Sequence, residues 1–232
     1  GTTANRENID TLDPDHIILA TGAKRIAPAI TGKEQRHVFD GDQLRGILLG
    51  NSPAAIAKLS ALQRLLVNIG RLCQLLRNIR LMRFLSKLWM PIRREVFIIG
   101  GGLVGLELAE FLIERNRKVI VLEPGPSFGA ELSIVRRARV LHLLEEDGAE
   151  LHKSVGDLKI GAHMIRFSLD GEVQERKCTQ VIIAMGAEPD DSLLKELAGS
   201  SARIHQIGDC REVGYIDGAI LDARKLVQQM EL

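Results

Sequence analysis

The sequence predicts an α/β fold, a parallel sheet of at least four strands with helices on both faces, and three observations carry that prediction. A short apolar run at 96–99 enters a glycine turn, then a helical run, then a second apolar run at 118–122. Further apolar runs at 15–20, 180–185 and 204–207 lead into Gly22, Gly186 and Gly208. Between these, 158–160, 164–169 and 173–176 read as a β-meander crossover turned at Gly161 and at Asp170 with Gly171.

The segment 96–123 gives the strongest local signal. Gly100, Gly102 and Gly105 stand in G-x-G-x-x-G spacing directly after a strand and at the start of a helix, and the next strand ends on an acid, Glu123. That is the dinucleotide-binding fingerprint in its full context, which makes the fold Rossmann-like. Gly100 permits the tight turn, Gly102 lets backbone approach a pyrophosphate, and Gly105 lets the helix pack on the strand. Free N–H groups and partial positive charge at the helix N-terminus suit phosphates. Glu123 accepts hydrogen bonds from a ribose 2′-OH and repels a 2′-phosphate, which predicts NAD(H) over NADP(H). The competing reading is a glycine turn kept only for packing.

Composition bounds the remaining classes. A chain of 232 residues forms one large domain or two small ones. Its net charge of +1 and 3% aromatic content give no support to nucleic-acid binding. Cys73, Cys178 and Cys210 form no C-x-x-C pair, so a dithiol, zinc or iron–sulfur site is not expected. The six histidines, His16, His37, His142, His152, His163 and His205, show no ligand spacing, and neither a metal site nor a catalytic side chain is assigned. Without a signal sequence, these cysteines fit a reducing cytoplasm. The chain opens on Gly1 rather than Met, from which a processed chain or a portion of a longer protein is expected.

Residues 24–53 carry Gly, Pro and charge without a period and read as a connector. From 54 to 90 the pattern becomes helical: Leu59, Leu62, Leu66, Ile69, Cys73 and Leu76, then Ile79, Met82, Leu85, Leu88 and Trp89, with a break expected near Asn78 and a stop at Pro91. Residues 43–94 hold ten basic side chains and no acid, in a chain whose total is only +1. Three readings follow, in descending order of preference. The apolar face packs on the chain's own strands or a neighbouring subunit with arginines outward; it docks a domain or partner; or it lies on an anionic membrane. Beyond Glu123, 132–146 is helical with Gly148 as its C-cap, 150–153 begins a strand, and 216–230 forms the closing helix.

Three short runs resemble the signatures of two-dinucleotide-domain flavoprotein reductases: IILATGA at 17–23, VIIAMGAEP at 181–189 and IGDC at 207–210. Within that superfamily, GDCREVGYIDGA at 208–219 is similar to the C-terminal part of old-yellow-enzyme-type NADH:flavin oxidoreductases, the group of 2,4-dienoyl-CoA, enoate and bile-acid-inducible reductases. The resemblance implies an NAD domain nested in an FAD domain. It divides the chain into 1–50, the C-terminal part of the first half of an FAD-binding domain; 51–94, a basic amphipathic helical insertion; 95–190, the NAD(H)-binding domain; and 191–232, the return to the FAD-binding domain with the closing helix.

By the same resemblance, Thr21, Gly22 and Asp209 lie against FAD, Gly186 passes the nicotinamide side, and Glu107 faces the nicotinamide pocket. Taken alone, Asp209 could simply cap the next segment, although Gly208 and the chain order favour the flavin, and Gly22 and Gly186 read as turn residues. The cofactors so implied are NAD(H) and FAD. The implied function is to bind NADH and deliver hydride to a flavin; the rival is an NAD-binding module without catalysis of its own. The implied partners are an N-terminal catalytic barrel and the rest of the FAD domain. A homo-oligomer is left open, nucleic acid is not expected, and a membrane is the least favoured partner.

Overall fold

The structure is a computed structural model that describes residues 1–25, 28–49, 52–72 and 79–230. Cys73, Leu76 and the expected break at Asn78 lie outside the described residues, as do the side chains of Ile79 and Met82. The chain divides into two compact units, one of Gly1–Ile26 with Gly186–Leu232 and one of Ala27–Met185.

The chain opens with α1 (Arg6–Asp10), β1 (His16–Leu19) and β2 (Ala23–Arg25). Next come β3 (Val38–Asp40), α2 (Gly41–Leu49), α3 (Pro53–Ala57), α4 (Ala61–Leu72) and α5 (Ile79–Leu88). The fingerprint supplies β4 (Glu95–Ile99), α6 (Leu103–Ile113) and β5 (Lys118–Glu123), followed by α7 (Ile134–Glu146) and β6 (Glu150–Lys153). The meander is β7 (Gly156–Ile160), β8 (Met164–Leu169) and β9 (Glu172–Lys177), and β10 (Val181–Ile183) follows it. The chain closes with β11 (Ala187–Pro189), α8 (Ser192–Glu196), β12 (Arg203–Gln206), a 3-10 turn at Gly208–Cys210, and α9 (Tyr215–Gln229).

In the larger unit a five-stranded sheet runs β3-β10-β4-β5-β6, with every pairing parallel. Strands buried on both faces need continuous apolar sequence, and β4, β5 and β10 have it. Successive side chains point to opposite faces. Phe97, Ile99, Ile120 and Leu122 therefore meet Ile165 and Phe167 of the meander, while Val96, Ile98, Val119 and Val121 meet Leu106, Ala109 and Leu112 of α6 and Leu144 of α7. Each such large side chain contributes about 1.5–3 kcal/mol by leaving water.

Helices were expected on both faces, but the meander covers one of them. Its alternating Ile165 and Phe167 present an apolar face that does the packing a helix would otherwise do. The meander's tight turn has Asp170 and Gly171 both at positive φ, as a type I′ hairpin requires.

The stretch 24–53 corrects the expectation of a connector, since it holds β2, β3 and α2. Its strands are three residues each, too short for a period to show, and β3 is defined by its pairing with β10. Asp40 then accepts a hydrogen bond from Gln43 N at 2.7 Å at the start of α2.

The helical insertion corrects a second expectation. Leu59 and Val67 are buried with Phe39, Ile47 and Ala55, but Leu62, Leu66 and Ile69 stay exposed rather than packing on the chain's own strands. α4 meets the core through Val67, on a different side of the helix from that stripe. α5 is tied to α6 by Arg115, whose buried guanidinium lies 3.5 Å from the Phe111 ring centroid and whose Nε donates to Ser86 Oγ at 3.0 Å.

In the smaller unit β1 and β12 pair in parallel, and Ile17 and Leu19 pack on Leu197 and Cys210. β2 and β11 form an antiparallel ribbon.

Candidate dinucleotide-binding site

Gly100, Gly102, Gly105 and Glu123 come together at the carboxyl ends of β4 and β5, the end of an open α/β sheet where ligands bind. Gly100 has φ +108, and a Cβ there would stand 2.8 Å from Ala184 O. A Cβ on Gly105 would fall 1.8 Å from Gly100 O, a backbone atom that cannot move aside. The α6 helix thus lies against the turn at a distance only glycine allows. Gly102 differs: a Cβ would meet only the flexible Glu131 side chain, at 2.5 Å. At Gly102 it is therefore a movable side chain, not backbone, that fills the space a Cβ would take.

Two carboxylates hold the turn. Glu123 Oε2 accepts from Gly101 N and its Oε1 from Gly125 N, both at 2.5 Å. Each carboxylate oxygen keeps a second acceptor site, which leaves capacity for ribose hydroxyls. Glu131 Oε1 accepts from Leu103 N at 2.6 Å. This oxygen occupies the first free N–H of α6 and stands in for an anionic phosphate oxygen, the group such an N-terminus attracts. The fold therefore fits a pyrophosphate: the donor is aimed, the glycine is clear, and an anion already takes the position.

Glu107, expected toward a nicotinamide, is exposed on α6 and pairs with Arg136 of α7 at 2.8 Å. Four residues of this site escaped the sequence reading. Gly101 lies under Phe128, whose Cδ1 would be 2.3 Å from a Cβ, and Gly129 N donates to Gly101 O at 2.8 Å. With Glu131 they make the loop after β5 a cover over the turn. The only sequence signal was the turn chemistry of Gly125 and Pro126; a carboxylate in an irregular loop has no period to reveal it.

The remaining expected positions belong to the smaller unit, Gly186 among them. Gly22 and Gly186 both have positive φ and each is followed directly by a strand of the β2–β11 ribbon. Thr21 Oγ1 donates to Asp190 O at 3.3 Å, and Asp190 N to Gly22 O at 3.2 Å. Asp190 is held down at about 2, first by the Lys24 ammonium at 2.7 Å and then by Ser192. Asp209 Oδ1 accepts from Gly214 N and Tyr215 N at 3.0 and 2.9 Å, so it caps α9. Beneath it, Gly208 N donates to Asp222, which a two-bonded Arg211 holds below the usual carboxylate range.

At the opposite end of the five-stranded sheet, where β3, β4 and β10 begin, a cavity of about 460 Å³ is lined by His37, Arg93, His163 and Cys178, among others. Burial pushes the Cys178 thiol up to about 11, so it stays protonated at neutral pH and is no nucleophile.

Residues 2–208 match the model of the pyridine nucleotide-disulphide oxidoreductase family, and the chain belongs to that family. Its cofactors are accordingly NAD(H) and FAD. Among relatives, an NADH oxidase of Thermoanaerobacter brockii is 25% identical over 233 residues, covering 99% of this chain and 30% of its own length. A bilirubin reductase of Mediterraneibacter gnavus is 27% identical over 216 residues, covering 91% of this chain and 27% of its own. Among solved structures, a complex of 2-naphthoyl-CoA reductase with 2-naphthoyl-CoA superimposes with a TM-score of 0.69 at 23% identity, over 97% of this chain and 28% of that one. The chain thus spans under a third of the length of these relatives.

Proposed function

We propose that this chain is the NADH-binding portion of a flavin-dependent oxidoreductase and delivers hydride from NADH to the flavin. The observation that carries the reading is the anion position at the start of α6, held by the Glu131 carboxylate over Gly102 and flanked by Glu123 at the end of β5. Leu103 N and the following α6 N–H groups would hold the pyrophosphate, and Glu123 the adenosine ribose. On the flavin side, Thr21, Gly22 and Asp209 would contact FAD, with Gly186 and Glu107 toward the nicotinamide. When bound, the two cofactors supply the redox chemistry, a hydride passing from the nicotinamide to the flavin. The chain's own residues bind and orient, and none acts as nucleophile or general acid.

The same reading places the parent protein in the old-yellow-enzyme-type group, with the nucleotide domain nested in the flavin domain and a catalytic barrel elsewhere in the whole protein. The matches of an NADH oxidase over 99% and a bilirubin reductase over 91% of the chain support it.

Calorimetric titration of NADH and NADPH tests the proposal. NADH is expected to bind more tightly by about 1–3 kcal/mol, the scale of one charge-assisted contact. Equal affinities would remove Glu123 from 2′ recognition, and absence of binding by either would overturn the proposal. The 30% coverage of the NADH oxidase favours a second reading, an NAD-binding module that another domain completes. A flavin absorbance band in the purified chain separates the two.

A further inference from the structure

The cavity of about 460 Å³ at the amino ends of β3, β10 and β4 lies wholly within the larger unit. The length of β4, roughly 15 Å, separates it from the fingerprint turn. Its charged lining is all basic. Arg36 and His37 precede β3, Lys58 follows α3, Arg93 precedes β4 and His163 stands between β7 and β8, while no Asp or Glu lines the cavity. Arg36 is ordered by backbone carbonyls, its Nε donating to Lys58 O and its Nη2 to Leu59 O, both at 3.0 Å. Those bonds fix the guanidinium without neutralising it. Lys58 Nζ donates to Val38 O at 2.7 Å and to Gln43 Oε1 at 2.9 Å, and adds its charge from within the wall. Asp40 and Glu34 act on Lys58 from outside the lining. The backbone N of Arg93 donates to Gln180 Oε1 at 2.6 Å, and its guanidinium has no partner among the described residues. Burial, and then the charges of His163 and Lys58, push the His37 imidazole below its ordinary value. The cavity thus carries a positive field that its own lining does not neutralise.

We infer that this cavity binds a small phosphate-bearing molecule, at a site separate from the nucleotide turn. A guanidinium presents its N–H donors in a planar fork that matches the oxygens of a phosphate or a carboxylate. Charge decides between the two. A single carboxylate is matched by one guanidinium, and would leave the other cations of the wall uncompensated. A phosphate monoester brings nearly two negative charges at neutral pH and three acceptor oxygens, enough for Arg36 and Arg93 together over the Lys58 charge. Leu59 and Pro91 give the same cavity an apolar wall for the organic remainder of the molecule. The volume falls within the roughly 300–1,000 Å³ of small-molecule sites, and the charge lines a recess rather than an open face.

The ring-proton resonances of His37 and His163, assigned through His37→Gln and His163→Gln, read the cavity directly by NMR. Inorganic phosphate added at constant ionic strength is expected to move both saturably and to leave the other four histidines in place. Acetate under the same conditions should bind at least ~tenfold more weakly. Arg93→Gln should lower phosphate affinity about tenfold, the effect of losing one charge-assisted contact, with the unfolding midpoint unchanged. Arg93→Lys keeps the charge but not the fork and should recover part of that loss. Phosphate bound at the start of α6 instead would leave His37 and His163 unmoved and would not respond to Arg93. That result, acetate binding as tightly as phosphate, or full phosphate affinity in Arg93→Gln would overturn the inference.

Discussion

At the start of α6 the acceptor for the first free N–H is Glu131, 28 residues further along the chain; at the start of α9 it is Asp209, five and six residues before the N–H groups it caps. Both are helix N-termini satisfied by a carboxylate after a strand and a glycine turn. A local acid is a fixed part of its helix. On the proposed function, an acid that arrives from a distant loop over Gly102 is the one exchanged for the ligand's anion. The comparison teaches that two helix N-termini capped by a carboxylate can differ in where the cap comes from, a residue close in sequence at α9 and a distant loop at α6.

The largest expected effect tests the tight side of the α6 turn. Gly105→Ala places a methyl 1.8 Å from backbone and should cost about 3 kcal/mol or more in urea unfolding. Gly218→Ala in α9, where a Cβ meets nothing within 4 Å, should stabilise by about 0.4–1 kcal/mol. Similar outcomes for the two would show that the α6 turn is not the close-packed one.

Gly102→Val separates ligand space from packing space. It should leave the unfolding midpoint nearly unchanged while NADH affinity falls at least ~tenfold; a variant that binds normally would make the turn purely structural. Exchangeability itself is tested by Glu131→Gln, which removes the resident anion and should raise NADH affinity several-fold, read by calorimetry. Asp209→Ala should instead cost about 0.5–2 kcal/mol of stability with NADH affinity intact. Were Glu131→Gln merely to destabilise, both caps would be structural and the contrast would collapse.

A smaller effect concerns pH. Arg211 and the Gly208 N–H hold the Asp222 carboxyl below its ordinary value. Its folded pKa is depressed, so its stabilisation is present above the unfolded value near ~3.9 and is lost as pH falls toward the folded one. Asp222→Asn should flatten that part of the acid limb in thermal melts across pH, and an unchanged limb would show that the pair contributes nothing.

The nucleotide half was legible because its signals are local. Buried parallel strands must be apolar throughout, and the spacing of Gly100, Gly102 and Gly105 belongs to a single turn. β3 was not legible, because three residues define no period and Val38–Asp40 is a strand only by virtue of β10, over 140 residues away in the sequence. Glu131 and Phe128 were missed for the same reason, since their roles exist only once the loop after β5 folds over the turn. The stripe on α4 was read correctly as a stripe, but Leu62, Leu66 and Ile69 do not pack on the chain's own strands, one of the partners expected for it. Periodicity shows that a helix has an apolar face, not what that face meets.

The sheet order β3-β10-β4-β5-β6 has a consequence for synthesis. β10 is made last and seats between β3 and β4, so a nascent chain can assemble β4, β5 and β6 with their helices but leaves the inner edge of β4 unpaired until residue 183 emerges. During that interval the apolar edge of β4 is a template for pairing with other chains. The same order explains why the sheet tolerates a long helical segment between β3 and β4. The two strands never touch, and lengthening the connection between them raises the closure entropy only logarithmically.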